Sequence, residues 1–160
     1  MLPGLLPRLR RFALGLCRSP DEADDLVQAA CERALTASLP SEGLASPEAW
    51  MFRILRNLWL DRMRRRRTRG EEVDVETRHD LPAMGAELAP ARRIALRRAA
   101  VAIGELPEEQ RSLMLLVCVE ELSYRQAAEI LDLPIGTVMS RLARARRTVA
   151  ERVGADATEF

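Results

Sequence analysis

Ser123-Tyr124-Arg125-Gln126-Ala127-Ala128-Glu129-Ile130-Leu131-Asp132-Leu133-Pro134-Ile135-Gly136-Thr137-Val138-Met139-Ser140-Arg141-Leu142 spells a helix, a tight turn and a second helix in one run. Ser123 and Gln126 stand at capping-box spacing, and Leu122 is placed to staple onto Ala127 across the helix start. Small Ala128 permits close helix approach, Asp132 tolerates a turn, and Val138 and Leu142 can bury the second helix against the first. That combination predicts a helix-turn-helix. The second helix, expected over Thr137–Val153, leaves Thr137, Ser140, Arg141, Arg144 and Arg147 for a DNA groove, with Arg125 near the backbone. A plain helical hairpin with solvated arginines is the competing reading. Coincidence of cap, small residue, turn and basic helix favours DNA.

Outward from this run, the remaining 160-residue chain is also helical in pattern, since no segment alternates apolar and polar residues for long. Leu6, Leu9, Phe12, Ala13 and Leu16 follow the helical period. Ser19-Pro20-Asp21-Glu22 supplies a capping serine, a proline at the first helical position and a glutamate three residues on. The helix it starts places Ala23, Leu26, Val27, Ala30, Cys31, Ala34 and Leu35 on an apolar stripe, opposite Asp21, Asp24, Asp25, Gln28 and Glu32. Ser46-Pro47-Glu48 begins a third helix, in which Trp50, Met51, Ile54, Leu55, Leu58, Trp59 and Met63 can face a core. Arg53, Arg56, Asn57, Asp61 and Arg62 are expected to be more exposed.

Periodicity fades between Thr68 and Pro90, where Gly70, Pro82, Gly85 and Pro90 interrupt an acidic stretch. Helical pattern resumes with Ile94, Leu96, Val101 and Ile103, and again from Pro107-Glu108-Glu109 through the apolar run to Val119. The expected fold is therefore all-α: two small helical domains, 1–67 and 91–160, joined by a flexible acidic linker over 68–90. The C-terminal domain contains the helix-turn-helix.

Charge supports this division. The chain has 25 basic and 24 acidic residues, for a formal net charge of +1. Residues 19–35 hold five acids against Arg33, residues 53–69 eight arginines against Asp61, residues 71–87 six acids against Arg78, and residues 141–152 five arginines against Glu151. Such segregation implies separate surfaces with separate partners. Every basic residue is arginine, so arginine preference alone carries no argument for phosphate.

Several classes are disfavoured. The longest apolar run, Leu113–Val119, is far short of the ~20 residues needed to cross a bilayer, so no membrane insertion is expected. The N-terminus intersperses Arg8, Arg10 and Arg11 among leucines and does not read as a secretory signal, so a cytoplasmic protein is expected. Cys17, Cys31 and Cys118 are too scattered for a disulfide framework, and with His79 they offer no zinc-ligand spacing. No metal or cofactor is expected. No nucleophile-base pair or phosphate loop marks an enzyme.

Three motifs in order give the chain a wider resemblance: Asp21-Glu22-Ala23-Asp24-Asp25-Leu26-Val27-Gln28, then Ala49-Trp50-Met51-Phe52-Arg53-Ile54-Leu55-Arg56-Asn57 with its following arginines, then Leu106-Pro107-Glu108-Glu109-Gln110-Arg111 leading into the helix-turn-helix. Over nearly its whole length the chain resembles bacterial sigma factors of the extracytoplasmic-function group. Such a factor is a dissociable subunit that directs core RNA polymerase to promoter DNA and opens it.

The resemblance implies roles for particular residues. Asp24, Asp25, Gln28 and Glu32 would dock on the polymerase. The third helix would read the −10 element, with Asn57 contacting a base, Arg53 and Arg56 beside it, and the Ala37–Ser46 loop walling the pocket. Arg62, Arg64, Arg65, Arg66 and Arg67 would contact phosphates. Trp50 and Trp59 could stack on bases, but helical spacing favours the core. The acidic linker would lie in the polymerase's RNA-exit path, and His79 within it has no assigned role. The chain departs from the family at Ala29-Ala30-Cys31, where larger apolar residues are usual, so different packing beneath the docking helix is expected. The resemblance also implies an anti-sigma factor as inhibitory partner. The alternative is a sigma-like mimic that titrates such a regulator, but a mimic would not need Arg62–Arg67 or a basic recognition helix. A plain repressor would leave the acidic helix and the Trp50–Asn57 segment unused.

Overall fold

The computed structural model describes residues 2–37, 46–71 and 87–154, the side chains of Leu2 and Pro3 excepted. Among them the order is α1 Leu2–Cys17, α2 Pro20–Thr36, α3 Pro47–Thr68, α4 Pro90–Gly104, α5 Glu108–Met114, a π-helical turn over Leu115–Val119, α6 Tyr124–Leu131 and α7 Ile135–Val153. The described residues contain no strand. The chain divides into two compact units, the first containing α1–α3 and the second α4, α5 and α7. The loop expected over Ala37–Ser46 lies outside the described residues except at its two ends. Most of the expected linker also lies outside them, His79 included.

In the first unit, all three helices pack on one another. Both serine caps form as the spacing predicts: the Glu22 amide donates to Ser19 Oγ at 3.4 Å, and the Ala49 amide donates to Ser46 Oγ at 3.1 Å. Each is followed by a proline at the helix start, where the missing N–H costs no hydrogen bond. The core joins Leu9, Phe12, Ala13 and Leu16 of α1 to Ala23, Leu26 and Ala30 of α2 and Phe52, Leu55 and Trp59 of α3. Phe12 meets Phe52 edge to face, with centroids 5.3 Å apart, and the Arg8 guanidinium lies over the Phe52 ring. An edge-to-face pair of this kind adds ~0.5–1.5 kcal/mol beyond its burial.

Four expectations for this unit are corrected. Leu5, not Leu6, faces the core of α1. Leu35 is 83% exposed, because at ~100° per residue it falls about 150° from the centre of the Ala23–Leu26–Ala30 face. Trp50 is only half-buried, whereas Trp59 is buried. Arg56, expected at the surface, is only 8% exposed: it sits among core residues, with Leu55 before it and Trp59 three residues on.

The second unit is built by packing α4 and α5 on α7. Its core includes Ala99, Ala102, Ile103, Leu106, Leu113, Leu116, Val138, Leu142, Ala145 and Val149. Ile94 and Leu96 are exposed, against expectation. Ile94 lies well round α4 from Ala99 and Ile103, and with Val101 and Ala102 it lines an open groove. The expected continuous helix to Val119 instead widens. The Glu120 amide donates to the Leu115 carbonyl at 2.9 Å, five residues back, and Glu121 then takes a left-handed φ of 57° that ends the turn.

Candidate nucleic-acid interface

Three surfaces carry the expected functional residues, two in the first unit and one in the second. On α2, Asp24, Asp25, Gln28 and Glu32 are all exposed on one face. This face is internally braced. Asp24 Oδ1 accepts from Arg10 Nε at 2.8 Å, and Gln28 Nε2 donates to Glu32 Oε1 at 3.2 Å. Exposed pairs of this kind contribute only ~0.2–1 kcal/mol, so a partner's cations can replace Arg10 at small cost.

On α3, Asn57 is exposed, Arg53 and Arg62 are half-buried, and Arg64 and Arg65 are exposed. Arg66 is ion-paired with Glu22 in the first turn of α2. Arg64 pairs with Asp61 one turn back at 3.6 Å. The arginine run therefore ends the helix in two classes: Arg65 and Arg67 are exposed and pair with no carboxylate among the described residues, while Arg64 and Arg66 already have carboxylate partners. Basic residues in the last turn also complement the helix dipole. Arg56 stands apart from this surface by its burial.

The helix-turn-helix forms as its spacing predicts. The Ser123 amide donates to Gln126 Oε1 at 3.0 Å and the Gln126 amide donates to Ser123 Oγ at 3.1 Å, a reciprocal capping box. Leu122 and Ala127 are both buried. Asp132 takes φ 53° in the turn, and the Leu133 amide closes on the Ala128 carbonyl at 3.0 Å. α7 starts two residues earlier than expected, at Ile135, behind Pro134 and with no side-chain cap. The Thr137 and Val138 amides close on the Pro134 carbonyl at 3.0 and 3.1 Å. Gly154 ends α7 in the left-handed region at φ 75°.

Val138, Leu142, Ala145 and Val149 bury one side of α7. Ser140, Arg144 and Arg147 are exposed, as is Arg125 on α6, and Thr137 is half-buried. Arg141 is ion-paired with Glu109 of α5. Arg146 was passed over by the sequence reading, and it turns inward: Nη1 donates to Tyr124 Oη at 3.2 Å, tying the start of α6 to α7. The same reading also missed Ile135 and Met139, large apolar side chains exposed on this helix. Only the wheel position of the helix start could have revealed them.

Burial pushes the Cys17 thiol up to about 11, partly opposed by the backbone of Ser19. Cys17 Sγ donates to the Ser19 carbonyl at 3.3 Å. Among the described residues, no three His, Cys, Asp or Glu side chains converge as metal ligands, and no helix is long and apolar enough to cross a membrane.

Comparison with known proteins matches both units. The Sigma-70 region 2 family model covers residues 4–69, and the Sigma-70, region 4 model covers residues 96–149. The chain is 34% identical over 154 residues to the ECF RNA polymerase sigma factor EcfG of Rhodopseudomonas palustris, covering 96% of this chain and 83% of the relative. It is 32% identical over 147 residues to the ECF RNA polymerase sigma factor SigM of Mycobacterium tuberculosis, covering 92% and 72%. Among solved structures it resembles the sigma factor RpoE of Bartonella quintana, crystallised with the anti-sigma factor NepR, at 30% identity and a TM-score of 0.78, over 97% of this chain and 95% of that one. CnrH, solved with the cytosolic domain of CnrY, shares the fold at 24% identity and a TM-score of 0.64, over 93% and 82%. With region 2 spanning α1–α3, region 4 spanning most of α4–α7, and a 34% identical relative covered over 83% of its length, the chain belongs to the extracytoplasmic-function RNA polymerase sigma factors of the sigma-70 family.

Proposed function

We propose that the chain joins core RNA polymerase in the cytoplasm through the acidic face of α2, using Asp24, Asp25, Gln28 and Glu32. Domain 1–67 then opens the −10 region, and domain 91–160 grips the −35 duplex across the linker 68–90. Asn57 contacts an unpaired base, flanked by Arg53, while Arg62, Arg64, Arg65 and Arg66 hold phosphates. Arg56 supports this helix from within the core. In the second unit, Thr137, Ser140, Arg141, Arg144 and Arg147 face the major groove, and Arg125 meets the backbone. Trapping an unstacked base offsets an unpairing cost of a few kcal/mol, so opening is driven by binding and the chain performs no chemistry of its own.

The observation that carries this reading is the coexistence, in one three-helix unit, of an exposed acidic face on α2 and an exposed Asn57 followed by arginines on α3. Acids suit a basic protein surface, and arginines next to a base-sized amide suit single-stranded DNA. The relatives solved with inhibitors support an anti-sigma factor as a further partner. Such a factor would compete for these same faces.

The test mixes purified chain with core polymerase and a library of promoter fragments, then sequences run-off transcripts. Initiated RNA from a restricted set of fragments is expected. No initiated RNA, with retained binding of an anti-sigma protein, would instead favour the titrating mimic.

A further inference from the structure

Ile135 and Met139 are 50% and 53% exposed, one turn apart, on a helix whose first four turns contain no acidic residue. Between them and the exposed Ser140, Arg144 and Arg147 lie Gly136 and Ala143, also exposed. A Cβ added at Gly136 would meet nothing within 4 Å, so packing inside the protein does not require glycine there. Glycine weakens a helix relative to alanine, and its use in open space points to close approach by something outside the chain. The exposed side of α7 thus has an apolar flank, a small-residue floor and a cationic flank.

We propose that Ile135 and Met139, beside Gly136, read thymine C5-methyl groups in the major groove and so add an A·T preference to the upstream promoter element. This rests on the reading of α7 as the recognition helix. The thymine methyl is the apolar group that base edges present in that groove, and side chains that pack on it discriminate A·T pairs without hydrogen bonds. Four residues of helix rise about 6 Å, close to two base steps of ~3.4 Å, so the two side chains can serve pairs within one short run. The neighbouring arginines favour DNA as occupant over a protein, whose docking on an apolar stripe would not call for an acid-free cationic flank.

The experiment uses the full chain bound to core polymerase and a promoter duplex recovered by the initiation selection. Its counterpart carries deoxyuridine for thymine in the −35 half, which deletes only methyl groups. Wild type is expected to bind the uridine duplex about fourfold more weakly for each methyl contacted, the effect of burying one such carbon. Ile135→Ala and Met139→Ala should each shrink that ratio, while Arg144→Ala weakens both duplexes. Equal wild-type affinity for the two duplexes, with Arg144→Ala still weakening binding, would overturn the methyl reading and leave the recognition helix standing. So would selected upstream elements without A·T pairs, or unchanged methyl discrimination in both alanine variants. If those two variants instead weaken core-polymerase binding, the stripe belongs to a protein contact. If Arg144→Ala has no effect and no duplex is preferred, the DNA role of α7 falls and the methyl reading with it.

Discussion

Arg66, near the end of α3, is ion-paired with Glu22 in the first turn of α2, so a cation assigned to promoter phosphate is held by the neighbouring helix before DNA arrives. Glu22→Gln releases it while keeping the helix start. The first unit should lose no more than ~1 kcal/mol in urea unfolding. The log–log salt dependence of single-stranded −10 binding by the polymerase complex should steepen by about 0.7, the value of one more phosphate contact. An unchanged slope would show that Arg66 stays on the protein.

Asn57 and Arg65 are both exposed on α3 but carry different information. Asn57→Ala should weaken opening by about 1–3 kcal/mol at particular −10 sequences and little at others. Arg65→Ala should weaken all promoters alike and flatten the salt slope. Open-complex yields across a promoter panel separate these outcomes, and a uniform loss for Asn57→Ala would remove its reading role.

Arg56 belongs to the core by its burial, not to the DNA face. Arg56→Ala is therefore expected to destabilise the first unit by about 1–3 kcal/mol, through lost packing and unsatisfied buried groups. Arg53→Ala, half-exposed one turn earlier, should stay within ~0.5 kcal/mol of wild type. Chemical denaturation of both variants checks this. Equal stability would place Arg56 with the surface arginines.

Burial holds the Cys17 thiol protonated to about pH 11, against an ordinary value of 9.0. At pH 8 only about one Cys17 in a thousand is thiolate, so alkylation should reach Cys31 and Cys118 first, as peptide mass spectrometry would show. The unfolded chain ionises this thiol more easily. Its contribution to stability is thus complete below about pH 9 and is lost between pH 9 and 11. Cys17→Ala should flatten that part of the stability curve.

Helix starts were legible because Ser19, Ser46 and Ser123 each announce a cap with local chemistry, and local chemistry survives folding. The helix-turn-helix was legible for the same reason. Burial of long or singly placed residues was not. Arg56 reads as polar wherever it sits, and Leu35 and Ile94 read as core until their wheel positions are fixed against a neighbour. Ion pairs such as Arg66 with Glu22 and Arg141 with Glu109 join residues far apart in the chain, and no short spacing encodes them. The π turn escaped notice because Leu115-Leu116-Val117-Cys118-Val119 has the composition of any buried helix.

That widened turn holds one residue more than an α-helix would need for the same advance, and its cost lies in looser backbone geometry. A single-residue deletion within it would not merely shorten the chain. It would let the segment return to ordinary winding, and because four α-helical residues turn through about the same angle as five π-helical ones, the residues that follow would keep their phase. Leu122, buried ahead of the Ser123 cap, would keep its seat. The same deletion in a regular stretch of helix would turn everything after it by about 100°, so Leu115–Val119 is where this unit can best absorb the loss of one residue.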